Sequence, residues 1–564
     1  MQIPYGISDF RTIRKEDYLF IDKTQYIEKL EKQRIVMYVR PRRFGKSLFT
    51  SILDYYYAID KKEEFEQLFK GLYIYDHQTP NKNSYYIMNF NFSGMEADAR
   101  VKVEEIENQF KDIVIQALED FIERYKLQIK INTQTTAANA LRSVLSGFKN
   151  LNLGNNIYVI IDEYDHFTNG MLEGKCDKFL NILGTAGFVR AFYEVIKIYT
   201  GTSTVDRFFA TGVAPLTLDS MTNGFNIATH LSLEAQYVDM CGLTHEEVKW
   251  AISQIEKDYE KQQKIYKEMK ENYDGYRFSE ESEIRTFNTT LVMYYLDNYL
   301  KNGKPPRELI DGNLAASGSK IQNIVELIDR EKNYEILKDF ILGKEIDGKI
   351  VRLFELEKHF DTNDFISMLF YNGYLTIKDV QGMITTYKIP NYISEKLYAE
   401  YMITLVDIQD KYKVDISELQ RATIQFGQKG NIEYLVKYVQ EFLMYCSVRD
   451  KENFTEKELK HVFQMMLALT TQYYVYGEYP AGQGFADIYL QKSTNSLATY
   501  EAVIELKYLN KEKARKSNIK RLTKEAKKQV ERYLEDKRLN QKENLKKYVI
   551  IFEGFEKYYL EEIC

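Results

Sequence analysis

Cysteine is scarce and dispersed. The four present are Cys176, Cys241, Cys446 and Cys564, and no two form a Cys-x-x-Cys pair. That pattern implies neither a disulfide framework nor a zinc ribbon, and scattered thiols suit a reducing, cytoplasmic compartment. With only six histidines, also scattered, a His/Cys metal site is not expected. No apolar run reaches the ~18 residues that a membrane span needs, so no membrane partner is expected. The opening "MQIPYGISDF" lacks the basic segment and apolar core of a signal peptide. Charge of one sign is lacking too: 77 basic residues face 83 acidic ones, a net charge of −6. Near-neutrality leaves a nucleic-acid partner open, because a local basic groove is enough. One tryptophan against 46 tyrosines is a compositional bias, not a set of binding sites. Tandem repeats and low-complexity tracts are absent.

What is present is an alternation of apolar and charged segments. At about 100–200 residues per domain, the length suggests three to five domains. "RIVMYV" (34–39) reads as a strand, "RPRRFG" as a loop, and "KSLFTSILDYYY" as a helix with Leu48, Ile52 and Tyr55 on one side. "SYYIMNFNF" (84–92), "NNIYVIIDEYD" (155–165) and "DRFFATGV" (206–213) read as further strands, and 99–127 as a charged helix. Strands alternating with helices predict a mostly parallel α/β sheet. From about Met240 helices dominate, starting with a capping box in which Thr244 is the N-cap and Glu247 lies three residues on. "DGNLAASGSK" (311–320) reads as a linker. "ISMLFYNGYLTIKD" and "MITTYKIPNY" give a helix, a glycine turn and a hairpin, a winged-helix-like pattern. Helices return over 396–470. The last segment offers the strands "YYVYGEY", "GFADIYL", "EAVIELKYL" and "KKYVIIFEG", with a helix at 519–535.

Two constellations carry chemistry. In the first, Gly45, Lys46 and Ser47 follow an apolar strand and open a helix. A phosphate-binding loop needs that order: backbone N–H groups aimed at phosphates, a lysine for the β- and γ-phosphates, and a hydroxyl for Mg²⁺. Pro41 constrains the entry that glycine usually makes, and Arg40, Arg42 and Arg43 add positive charge. Asp162 and Glu163 end a buried-looking strand, where ligands sit in open α/β sheets. Asp162 suits the metal and Glu163 the attacking water. Thr211, ending "FFATG", would sense the γ-phosphate from an adjacent strand.

In the second, Glu505 and Lys507 sit two apart in the apolar strand "VIELKYL", so both project from one face, while Ile504 and Leu506 point into a core. Asp487 starts the preceding strand. Asp487 and Glu505 suit Mg²⁺ or Mn²⁺, and Lys507 suits the water or the developing phosphorane charge. The glycines of "GQG" permit close backbone approach to a substrate or metal. Glu458, on the preceding helix, is a candidate additional ligand. Gln529 and Tyr533 are i and i+4 on one helix face. Residues 507–528 hold ten Lys/Arg against two acids, a phosphate-backbone footprint without base readout.

"IPYGISDFRTIRKEDYLFIDKT", "RPRRFGKS", "VIIDEYD" and "TGVAPLTLDSM" resemble the bacterial AAA-ATPase-like family that carries a C-terminal PD-(D/E)XK nuclease domain. The likeness continues through "YDGYRF" (273–278), "LFYNGYLTIK" (369–378) and "IPN" (389–391). Arginine at the first loop position is usual in that family. The resemblance implies that Arg40, Pro41, Arg42, Arg43, Phe44, Gly45, Lys46 and Ser47 cradle ATP. It gives Asp22 and Lys23 of "IDKT" no role but a structural one. Ala486 stands where the nuclease motif has proline, and Gln529 with Tyr533 resembles the Gln-x-x-x-Tyr element of RecB-type nucleases. The expected fold is α/β multidomain: an AAA-like P-loop ATPase domain (1–235), a helical lid (236–315), a winged-helix-like/helical domain (316–415) and a restriction-endonuclease-like PD-(D/E)XK domain (416–564).

The function this predicts is ATP-gated, metal-dependent cleavage of nucleic acid, DNA rather than RNA, with defence or repair as roles by analogy. The alternative is a nucleotide-controlled switch or adaptor whose nuclease fold only binds. Arginine fingers would come from Arg190 or Arg207 and would imply a homo-oligomer.

Overall fold

The computed structural model describes residues 1–95, 101–166, 187–215, 227–310, 321, 324–325, 329–341, 343–354, 360–405, 415–445, 454–470, 472–482, 484–493, 496–511 and 515–563. The expected linker 311–320 lies outside them. The contacts group into two units. One holds Met1–Asp311 and Asp347–Pro390, the other Glu331–Ile346 and Asn391–Cys564.

The first unit is organised by β1 (Ile35–Val39), β2 (Tyr86–Asn91), β3 (Ile157–Asp162), β4 (Val205–Gly212) and β5 (Thr229–His230). They form one sheet of order β2-β3-β4-β1-β5, parallel throughout. The central strands are apolar on both faces because helices cover both: every residue of β3 is buried, as are four of the five in β1. The covering helices include α1 (Lys46–Tyr57), α2 (Val103–Arg124), α3 (Ala137–Leu151) and α4 (Phe188–Gly201). The buried stripe of α1 is Phe49, Ile52, Leu53, Tyr56 and Tyr57. Leu48 and Tyr55, expected inside with Ile52, are only partly buried.

The capping box opening α5 (His245–Ile255) is present, with Thr244 and Glu247 in the expected reciprocal roles. Glu247 also accepts from Lys23 at 2.7 Å, and Lys23 reaches the Asp239 carbonyl at 2.8 Å. Asp22 accepts from the Thr24 and Tyr73 amides. Asp22 and Lys23 therefore fasten the N-terminal segment, the structural role expected. The helix and hairpin are also present: α6 (Thr362–Tyr371), Gly373 at φ +80°, then antiparallel β7 (Thr376–Gln381) and β8 (Ile384–Lys388), with β6 (Ile346–Gly348) beside β8.

The second unit carries β9 (Tyr473–Ala481), β10 (Gly484–Lys492), β11 (Glu501–Leu509), β12 (Leu545–Glu553) and β13 (Lys557–Glu562), in the order β13-β12-β11-β10-β9. Only β11 and β12 are parallel. A parallel pair needs a long crossover, and α8 (Lys516–Tyr533) supplies it. Its Ala526, Val530 and Tyr533 pack on Tyr489, Val503, Val549 and Ile551. A preceding helix, α7 (Glu456–Ala468), contacts β9, β10 and β11. No helix among the described residues is long and apolar enough to cross a membrane.

Candidate nucleotide and nuclease sites

The loop between β1 and α1 is shaped by two left-handed residues, Arg43 at φ +69° and Gly45 at φ +93°. A Cβ on Gly45 would meet nothing closer than 3.8 Å, so the position needs glycine for its dihedral and not for space. The loop carbonyls are already taken. Phe44 O accepts from the Gly242 amide and the Thr289 hydroxyl, and Arg43 O from the Thr290 amide and hydroxyl. With its carbonyls tied to that side, the loop presents backbone N–H groups at the start of α1, the arrangement that binds anions.

Lys46 is 4% exposed. Its ammonium lies 3.3 Å from Pro41 O and 3.5 Å from a Glu163 carboxylate oxygen. Glu163 holds a left-handed backbone at φ +54°, costly for a residue with a side chain and frequent where function sets the geometry. Burial pushes its carboxyl up, but Lys46 and Arg42 outweigh burial and hold it below the usual range. Asp162 is pushed up by burial against a hydrogen bond from Ser47. β4 lies between β1 and β3, which puts Thr211 beside both loops, paired with Tyr38. The Thr211 hydroxyl and one Glu163 oxygen are buried without a hydrogen-bond partner among the described residues. A hydroxyl–carboxylate pair, a lysine and two orphaned oxygens fit a magnesium-bound triphosphate.

Three sequence readings need correction here. Arg40 adds no charge to a phosphate. It is 1% exposed, and its guanidinium donates to the carbonyls of Val39, Ser232, Tyr237 and Val238 between the Tyr38 and Phe278 rings. Phe44 is buried edge-on against Tyr276 and Phe278, so only its backbone can serve a ligand. Arg207 is buried, donating to Tyr85 and to the carbonyls of Gln33 and Glu31, which rules it out as a finger. Arg190 pairs with Glu194 one turn on. Of the three loop arginines, Arg42 and Arg43 stay partly exposed. Replacing Arg40 by methionine keeps bulk but strands several buried carbonyls. At about 1.5–3 kcal/mol for a hydrogen bond to a charged group, unfolding of the first unit should shift down by at least 2 kcal/mol, read by chemical denaturation. An unchanged midpoint would refute the pinning role.

At the second site Asp487, Glu505 and Lys507 do meet. Asp487 is the fourth residue of β10 and does not start it. The β10–β11 register pairs Ile488 with Ile504, and one step further sets Asp487 opposite Glu505. The ladder gives way there, and the Asp487 carboxylate takes the Leu506 amide at 2.8 Å. Glu505 lies 2.8 Å from the Lys507 ammonium and accepts from the Tyr533 hydroxyl at 2.9 Å. Sequence reading missed two partners on α7. Lys460 sits 2.5 Å from Asp487, and Glu456 lies 3.1 Å from Lys507. Their i, i+4 spacing on a helix with a buried face was the available signal.

Burial pushes Glu505 up to about 7, the Asp487 charge adds to this, and Lys507 and Tyr533 pull against it. Asp487 is raised by burial against Lys460 and Lys507. Burial works against the Lys507 ammonium, but Glu505 and Asp487 hold it above the ordinary lysine value. Two buried carboxylates set opposite each other on neighbouring strands fit a divalent cation, which would compete with the proton for Glu505. A folded carboxyl with a raised pKa opposes folding once ionised. The penalty is absent below the unfolded value of about 4.3, grows as pH rises, and is complete above about 7. In chelator, the parent should therefore lose on the order of 3 kcal/mol relative to Glu505→Gln between pH 4 and pH 8. Urea titrations of both proteins across that range check this; parallel pH profiles would refute it.

Other candidates fall elsewhere. Glu458 accepts from the Thr455 amide and hydroxyl and closes the capping box of α7, so it is not placed as a ligand. Gln529 is half-buried on α8 with no side-chain hydrogen bond among the described residues, while Tyr533 makes the contact expected of the pair. Gln483 lies outside the described residues. Its neighbouring glycines admit α8 and not a ligand: a Cβ on Gly482 would come within 2.5 Å of Arg532 O, and one on Gly484 within 3.3 Å of the Tyr533 ring.

A triphosphate-type loop on a parallel sheet, and a carboxylate–lysine cluster on a mixed sheet with a helical crossover, define an ATPase-like domain and a nuclease-like domain. Comparison agrees. Residues 4–222 match the family described as "Predicted AAA-ATPase", and residues 454–562 match the PD-(D/E)XK nuclease superfamily. The chain therefore carries an AAA-ATPase-like domain followed by a PD-(D/E)XK superfamily domain. It is also similar to the "Uncharacterized protein in vnfD 5'region" of Azotobacter chroococcum mcd 1, 24% identical over 302 residues, 52% of this chain and 51% of that protein. The chain thus matches about half the length of this curated relative. Among solved structures, a Signal Transduction ATPase with Numerous Domains protein with a tetratricopeptide repeat sensor from Pyrococcus horikoshii aligns at 12% identity. The alignment covers 80% of this chain and 58% of that one, with a TM-score of 0.22.

Proposed function

We propose that this protein is an ATP-gated, metal-dependent nuclease that hydrolyses phosphodiester bonds, of DNA in preference to RNA. The observation that carries the reading is the meeting of Asp487, Glu505 and Lys507 within a PD-(D/E)XK superfamily domain. Asp487 and Glu505 would hold Mg²⁺ or Mn²⁺, which when bound polarises the scissile phosphate and acidifies a water. Lys507 stabilises the charge that develops on the phosphorus oxygens. Tyr533 orients Glu505 through its hydroxyl. At the other site, Lys46 and the loop amides would bind the β- and γ-phosphates of ATP, Ser47 and Asp162 would hold its magnesium, and Glu163 would orient the attacking water. ATP binding must draw Lys46 from Glu163, and that exchange supports nucleotide control. The four-part division at 235, 315 and 415 belongs to this proposal.

The contact of Lys460 with Asp487 favours a second reading. That ammonium sits on an oxygen a metal would need, as expected of a switch whose nuclease fold is idle. Labelled DNA and RNA, single- and double-stranded, incubated with Mg²⁺ or Mn²⁺ and with or without ATP, separate the two. Metal-dependent DNA cleavage that responds to ATP is expected. Binding without cleavage across both metals would reject the nuclease in favour of the switch.

A further inference from the structure

The exposed face of α8 bears lysines that its own chain does not neutralise. Elsewhere on and around this helix, basic residues find acids: Arg521 pairs with Glu525 at 2.8 Å, Lys527 with Glu561 at 2.5 Å, and Lys511 with Glu556 at 3.0 Å. Lys516, Lys520 and Lys524 are exposed and make no ion pair among the described residues. At i, i+4 and i+8 they form one row, advancing about 6 Å per lysine. The row overlooks a groove of about 490 Å³ between α8 and β13, floored by Ile519 and Tyr559. A second hollow of about 430 Å³ shares those two residues and carries the groove on towards Ile551 and Lys557. The lining of the first hollow sets four lysines against one glutamate, and that glutamate is already paired with Lys527. A local excess of positive charge in a protein of net charge −6 is an anion-binding feature.

Sheet register relates this groove to the candidate catalytic acids. Glu505 pairs with Val549, and Val549 with Glu561. Glu561, at the groove wall, is thus two strands from Glu505, about 10 Å across the sheet. The same helix that carries the lysine row ends at Tyr533, whose hydroxyl holds Glu505. One rigid element therefore joins the row to the acids. A polymer of regularly spaced phosphates matches an extended row of unpaired ammonium groups, whereas a small anion would engage only one of them. Tyr559 is 41% exposed beside the row and offers a ring face for a sugar or base.

We infer that the α8–β13 groove is a docking track for the phosphate backbone of a nucleic-acid strand, engaged by Lys516, Lys520 and Lys524. It feeds the Asp487–Glu505 centre without reading sequence. The inference rests on the nucleic-acid reading proposed above, and its test does not require cleavage. The full-length Asp487→Asn protein in chelator is titrated with fluorescent 30-residue DNA, duplex and single-stranded, over a range of salt. The same protein also carrying Lys516→Gln, Lys520→Gln and Lys524→Gln is compared with it, and ATP binding serves as the folding control. The triple substitution should weaken duplex binding at least about 30-fold at low salt. It should also reduce the slope of log affinity against log salt by about 2.7 for duplex, at ~0.9 per phosphate contact, and by about 2 for single strands. Equal affinity and slope in the two proteins would overturn the inference. So would a parent that ignores nucleic acid yet binds phosphatidylserine vesicles through these lysines. Lysine-dependent binding in this test, together with no cleavage by the unsubstituted chain in Mg²⁺ or Mn²⁺, would leave the track standing and remove the nuclease reading alone.

Discussion

Asp487→Asn should lower metal-dependent cleavage by at least 10²–10³-fold, the scale set by losing one charge-stabilising group from an active site. The amide keeps the shape and can still accept from the Leu506 amide, which Asp487 takes at 2.8 Å. It loses the negative charge that a divalent cation needs, so the effect falls on metal binding and not on the strand. Lys507→Ala should cost as much in rate for a different reason. Its ammonium is 2.8 Å from Glu505 and 3.1 Å from Glu456, and removing it leaves a 1%-exposed carboxylate without its counter-charge. Breaking a buried pair this way typically costs about 3–5 kcal/mol, so Lys507→Ala should also lower the stability of the second unit. Asp487→Asn, which removes the charge 2.5 Å from the Lys460 ammonium, should lower it less, because Glu456 and Glu478, each 3.5 Å away, still face that lysine. Both variants should bind ATP as the parent does. Gel assays with Mn²⁺ and a fluorescent ATP analogue read all three quantities. Cleavage that persists in both would remove the nuclease assignment.

The second large effect belongs to the other site. Lys46→Ala removes a buried ammonium held by Pro41 O and Glu163. Truncating one member of a buried charge pair in a binding site costs about 2–5 kcal/mol, so ATP affinity should fall by at least about 30-fold. Glu163→Gln should separate binding from hydrolysis. The amide cannot take a proton from water or orient it as a carboxylate does, so phosphate release should drop by roughly 10²–10⁴-fold while nucleotide affinity holds. If ATP gates cleavage, Lys46→Ala should lose the response of DNA cutting to ATP, and Glu163→Gln should keep the response to binding. Titration with a fluorescent analogue, paired with phosphate release, checks both. Full hydrolysis by Glu163→Gln would reassign the water-orienting role.

How legible was all this beforehand? The strands that carry the sites were, because each is an apolar run cut off by the residues that do chemistry: "RIVMYV" before the loop, "VIID" before Glu163, "VIEL" before Lys507. The capping box at Thr244 and the hairpin after Gly373 follow from local rules, and local rules are what a single sequence expresses. Side-chain destinations were not legible. Arg40 reads as charge for a phosphate, yet it serves carbonyls almost 200 residues away in sequence, a pairing that no local pattern encodes. Glu458 looked like a ligand, although Thr455 three residues earlier already pointed to a cap, while Glu456 and Lys460 went unread. The edge strand β13 was missed because "KYYLEE" is only partly buried and carries no apolar run. The strand order, with β4 lying between β1 and β3, depends on contacts too distant in the chain for periodicity to reveal.

That order has a consequence for the birth of the protein. Among the described residues the strands that pair with β1 are β4 and β5, and their nearest residues lie some 170 positions downstream. At roughly 5–20 residues per second on the ribosome, the loop-bearing strand waits about ten seconds or longer before either neighbour exists. During that interval "IVMYV" is an unpaired apolar edge of the kind that attracts other chains, so the interval before β4 is made is when nascent copies are most exposed to aggregation.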